Sequence, residues 1–172
     1  NAMIKPGKLS LGESQNGPAV RWLQITSTSP TFVVYDLSFE NALSTSGVIT
    51  PDFWESDAQV TFNKPSVGAK LGVTGKVKVT ITPPTGPSQG QYGGYIVFTP
   101  RDGGQVYRVP FAGFVGDYQL VPVLTHPFGL PLLTDQYGDD TVTYFTLDGG
   151  DLPYFLAHFE HQRRPIHGRR EL

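Results

Sequence analysis

The chain has 172 residues, a formal net charge of -2, 38% hydrophobic and 12% aromatic residues, and no cysteine. That is enough apolar material for one ordinary core, and 20 Gly with 15 Pro stay below the share that marks disorder. The balance excludes a coiled coil and a basic nucleic-acid binder, no run nears the ~20 apolar residues of a membrane span, and the missing thiols exclude disulfides, thiolate metal sites and a cysteine nucleophile.

Asn1-Ala2-Met3 reads as an expression-tag scar ahead of an internal segment, and so as part of a longer protein. From Ile4 onward the dominant period is two. In 19–26, Val20 and Trp22 fall on one face and Leu23 and Ile25 on the other, which predicts a strand partly covered on both sides. In 31–39, Val33, Tyr35, Leu37 and Phe39 share a face against Asp36 and Ser38, a half-exposed strand. Lys76–Thr82 alternates most cleanly, with Val77, Val79 and Ile81 inward. Two further β-rich runs, 95–99 and 105–111, flank Arg101-Asp102-Gly103-Gly104, where Asp-Gly signals a hairpin. Turn clusters recur every ~8–12 residues, the spacing of an all-β sandwich.

The pattern changes near 116–124, where Pro122, Pro127 and Pro131 follow. Residues 4–118 read as one sandwich, 119–162 as the start of a further β module or appended strands, and 163–172 as a basic flexible tail. Strands are expected at 141–147 and 152–161. The second also fits a helical stripe through Leu152, Phe155, Leu156 and Phe159.

Little of the chemistry assembles. The histidines, His126, His158, His161 and His167, all fall in the last third, and no Ser sits in a Gly-x-Ser-x-Gly elbow. His158 and His161 beside Glu160 suit zinc only on a helix; on a strand they part to opposite faces. Asp135, Asp139 and Asp140 around Gly138 are weak calcium candidates, as are Asp148 and Asp151 around Gly149-Gly150, and turn chemistry accounts for both loops. Gln91–Tyr95 lacks the Gly-Lys-Ser/Thr of a phosphate loop and reads as a flexible lead into a strand. Glu13, Glu40 and Glu55 sit near expected turns. Phe53 and Trp54, in an expected loop, are the binding candidates; the competing role is to plug one end of the sandwich.

Two blocks carry a resemblance. The first is Gly7-Lys8-Leu9-Ser10-Leu11-Gly12-Glu13, and the second runs from Tyr92-Gly93-Gly94-Tyr95 to Val109-Pro110-Phe111-Ala112-Gly113-Phe114-Val115-Gly116-Asp117. In this order they resemble the fibronectin-III-like domain C-terminal to the catalytic domain of subtilisin-like serine proteases, of the cell-envelope proteinase and C5a peptidase type. The resemblance implies an all-β, antiparallel fibronectin-III/Ig-like β-sandwich followed by part of a second β module. It implies an extracellular, secreted or cell-envelope parent, in which an upstream protease domain is the partner and protein substrate a further one. It implies no catalytic residue, no cofactor, no nucleic acid and no membrane span in this chain. An adhesion or ligand-binding sandwich unrelated to proteolysis is the alternative.

Overall fold

The computed structural model describes residues 2–46, 51–120, 131–141 and 144–157. The chain divides into two compact units, Asn1–Tyr118 and Gln119–Leu172. In the first, the strands run β1 (Ala2–Lys5), β2 (Leu9–Glu13), β3 (Ala19–Ser27), β4 (Val33–Asn41), β5 (Leu43–Ser46), β6 (Asp52–Glu55), β7 (Gln59–Phe62), β8 (Ser66–Ala69), β9 (Gly75–Thr82), β10 (Gln91–Pro100) and β11 (Tyr107–Phe114). They form a four-stranded sheet, β1-β3-β9-β7, and a seven-stranded one, β2-β11-β10-β4-β8, with the β5–β6 hairpin joined to β10 through β5. Pairing is antiparallel except between β2 and β11, which run parallel. A single 3-10 turn, Tyr118–Leu120, is the helical structure among the described residues. The unit is an Ig-like, all-β sandwich.

The period of two has a direct physical cause. Each sheet has one dry face, so every second side chain must be apolar. On β9, Val77, Val79 and Ile81 are buried while Lys76, Lys78 and Thr82 face water. Leu23 and Ile25 of β3, Ile96 and Phe98 of β10, and Val109 and Phe111 of β11 complete the layer. Each such side chain contributes roughly 1.5–3 kcal/mol on burial. Tyr35 packs edge-on against Tyr107 at 6.1 Å, and burial raises its phenol pKa. The Tyr107 hydroxyl accepts a 2.9 Å hydrogen bond from the Ala2 amide.

The outer face of the larger sheet is held by ions. Arg108 of β11 crosses β10 to Glu40 of β4, and Arg101 pairs with Asp36 at 2.8 Å. Val97, which points outward on β10 opposite Arg108 and Ser38, is only 3% exposed. The aliphatic stem of a long side chain can cover an outward valine in this way. At the edge of this sheet, Nη2 of Arg21, from β3 of the other sheet, donates to the carbonyls of Ser10 and Leu11 on β2, each at 3.0 Å.

Several expectations change. Val20 and Trp22 are exposed, so β3 is covered on one face only. Ala2 and Met3, set apart from the sandwich by the sequence reading, pair with Ser27 and Thr26 in β1. Gln91–Tyr95 is strand from its first residue. Gly94 is required there, since a Cβ would stand 2.5 Å from the Glu40 carbonyl oxygen on the neighbouring strand. Phe53 and Trp54 lie in β6, not in a loop.

In the second unit, β12 (Leu132–Thr134) pairs antiparallel with β13 (Tyr154–Leu156). β13 falls inside the expected 152–161 strand; His158, Glu160 and His161 lie outside the described residues. The expected strand at 141–147 does not form over its described part. Thr146 instead donates its amide and hydroxyl to Asp151, and Leu147 adopts φ 63°. A backbone committed to a turn has no ladder to offer.

Candidate functional site

The β5–β6 hairpin is where the sandwich presents apolar side chains to solvent in a defined order. Its register pairs Leu43 with Glu55, Ser44 with Trp54, Thr45 with Phe53 and Ser46 with Asp52. Alternation therefore puts Leu43, Thr45, Phe53 and Glu55 on one face and Ser44 and Trp54 on the other. Leu43 is 61% exposed and Phe53 is 63% exposed, while Trp54 is half-buried and Ser44 fully buried. The two sequence candidates thus part: Phe53 faces solvent, and Trp54 turns towards the protein.

Leu43 is the residue that sequence reasoning misses, and a bulge is the reason. From Asn41 to Thr45 the β4–β5 path advances four residues, while its partner β10 moves three, from Gly94 to Gln91. The extra residue is Ala42. Its amide donates to the Gly93 carbonyl at 3.0 Å and its carbonyl accepts from the Ser56 amide at 2.8 Å. Before Ala42 the odd-numbered side chains point inward, from Tyr35 to Phe39; after it Ser44 is inward and Leu43 outward. A bulge re-aims side chains in this way. Two buried polar atoms, Asn41 Oδ1 and Ser44 Oγ, flank it without a hydrogen-bond partner.

β6 pairs with β5 alone among the described strands, so its far edge carries unpaired backbone donors and acceptors. An open edge beside outward Phe53 and Leu43 can take an extended chain: the main chain pairs, and alternate side chains of the guest meet the apolar pair.

The acidic candidates are spent on turns. Asp135 Oδ1 accepts from the amides of Tyr137 and Asp139 at 2.8 and 2.9 Å. Asp139 accepts from the hydroxyl and amide of Thr141, and these bonds, the hydroxyl's first, hold its carboxyl below the usual range. Asp140 is exposed beside them. Among the described residues no three His, Cys, Asp or Glu side chains converge. No helix of the described residues is long and apolar enough to cross a membrane.

No protein-family model matches the chain, and no curated protein matches it. Among solved structures it is similar to PapD-like domain 7 of human CEP192, at 17% identity and a TM-score of 0.51, over 66% of this chain and 84% of that one. It is also similar to the chaperone–tip adhesion subunit complex of the Csu pili of Acinetobacter baumannii, at 13% identity and a TM-score of 0.44, over 78% and 71%. A third is the chaperone–tip adhesin complex of CFA/I fimbriae, at 12% identity and 0.46, over 94% and 86%. The first of these corrects the resemblance drawn from the two sequence blocks: it is a PapD-like domain rather than a fibronectin-III-like domain of a subtilisin-like protease, and the implied subtilase, serine-peptidase and hydrolase assignments go with that resemblance. Short motifs such as Pro110-Phe111, in the middle of β11, and Gly113-Phe114, at its end, serve the pairing and packing of a strand and do not specify a family. At these identities the likeness shows the fold alone, an Ig-like β-sandwich.

Proposed function

We propose that the chain is a non-catalytic binding module, in which the β5–β6 hairpin takes an extended apolar segment of a partner protein. The observation that carries this reading is the pairing of outward Leu43 and Phe53 beside the open edge of β6. Large apolar side chains are the usual anchors of interfaces, and an unpaired strand supplies directional main-chain bonds. Asp135 and Asp139 of the second unit are engaged in local turn hydrogen bonds, which supports binding over catalysis. An extracellular or cell-envelope setting belongs to the proposal and is checked by fractionating the native cells.

The test is selection of displayed peptides on the full chain, followed by titration of the peptides recovered. The reading expects extended, alternating apolar sequences that bind the wild-type chain and lose about tenfold or more in affinity to Phe53→Ser or Leu43→Ser. Peptides that bind both variants as well as the wild type would overturn it. Both positions are exposed, so folding is preserved in each variant.

A further inference from the structure

The four-stranded sheet presents an outer face of different character. Trp22, at 55% exposed, stands at its centre, directly opposite Lys78 of β9. One row further along the sheet, Lys5 of β1, Gln24 of β3 and Lys76 of β9 lie side by side across three strands. Strand geometry sets Lys5 and Lys76 ~10 Å apart at their Cα atoms, and Lys76 and Lys78 ~7 Å apart. No outward position of β1, β3, β9 or β7 carries a carboxylate. The larger sheet is the contrast: there Asp36 and Glu40 are present and each is matched by an arginine. Among the described residues no ion pair engages Lys5, Lys76 or Lys78, and the Trp22 indole lies outside the core.

The geometry points to a docking face for an acidic polysaccharide. The β3–β9 ladder is regular from Ala19–Ile81 to Ile25–Gly75, with no bulge, so Trp22 rises from an even surface. A flat indole on such a surface suits the apolar face of a sugar ring. Lys5, Lys76 and Lys78 are placed for its carboxylate or sulfate groups, and Gln24 and Thr80 for its hydroxyls. A second copy of this chain is disfavoured, because face-to-face contact brings lysine against lysine. A single-stranded nucleic acid is disfavoured because successive bases want successive aromatic platforms, and this face has one. An acidic protein segment wants pockets for side-chain anchors, which an even ladder does not give. The inference concerns a different sheet from the hairpin and does not rest on it.

The experiment is affinity electrophoresis of the full chain through gels containing polygalacturonate, heparin, dextran, polyglutamate or single-stranded oligo(dT), at low and raised salt. Retardation by polygalacturonate and heparin is expected, weakening with salt, and none by dextran. Trp22→Thr should weaken binding about tenfold, and Lys76→Gln with Lys78→Gln should flatten the salt dependence. Equal retardation by polyglutamate or oligo(dT), no retardation by either acidic polysaccharide, or binding unchanged by Trp22→Thr overturns the inference. Should Trp22→Thr fail to fold, the lysine pair decides alone: binding that it leaves unchanged is equally fatal.

Discussion

Arg108 and Glu40 clasp across a strand that belongs to neither. The guanidinium Nε and Nη2 meet the two carboxylate oxygens, each at 3.1 Å, over the central strand β10. Arg108 stands directly opposite Val97, which is buried although it points outward. Exposed ion pairs contribute little by charge alone, so the stem of the arginine matters more than its head. Arg108→Ala should therefore lower the urea midpoint more than Glu40→Gln does.

Acid should weaken the same face. Hydrogen bonds from Arg101 and Arg108, ahead of their charge, hold Asp36 and Glu40 below the usual carboxylate range. A carboxyl whose folded pKa is depressed stabilises the fold above its unfolded pKa, and that contribution fades as pH falls through the folded value. The gap in melting temperature between the wild type and Asp36→Asn/Glu40→Gln should be small at neutral pH and vanish below the carboxylate range. A gap that persists in acid would show that the substitutions act by packing instead.

Gly94→Ala should destabilise the first unit by about 1–3 kcal/mol in urea unfolding. The new methyl would meet both the Glu40 carbonyl oxygen and the Phe111 ring at 2.5 Å. One of these is backbone of a paired strand, so the sheet itself must part. Gly103→Ala is the control for a different cause. It has open space but φ 81°, and its cost is conformational.

Ser44→Ala should leave stability unchanged or raise it by roughly 1 kcal/mol. The Ser44 hydroxyl is buried and unpartnered, and removing it deletes a desolvated polar atom without opening a sizeable cavity. A clear loss of stability would mean that the hydroxyl has a partner in solution, and an ordered water would be the first to look for.

Arg21→Gln should free the edge of β2. The lost charge-assisted bonds to Ser10 and Leu11 correspond to about 1.5–3 kcal/mol. Faster amide exchange along Leu9–Glu13 and a rise in association at high concentration are expected, because an edge strand is then uncovered. Light scattering reads the second effect.

The sequence is most legible where a strand has one dry face. Val77, Val79 and Ile81, and the run from Val33 to Phe39, carry their burial openly. Where a reading failed, the deciding partner was distant. Gly93 and Gly94, near the start of β10, look flexible until Glu40 and Phe111 are seen against them. Val20 and Trp22 look like half of a doubly covered strand, because periodicity marks a face as apolar and not as covered. At the hairpin, Phe53 was legible as an aromatic beside a turn signal. Leu43 was not: the parity of Val33 to Phe39 sets odd positions inward, and the bulge at Ala42 that turns Leu43 out leaves no mark in the sequence.

Ala42 gives that last point a genetic meaning. It is one surplus residue between β4 and β5. Losing a single codon there would remove the bulge, and strict alternation from inward Asn41 would then leave Leu43 outward and Ser44 inward. The outward facing of Leu43 is thus compatible with a one-residue in-frame deletion, with every other residue of the chain unchanged.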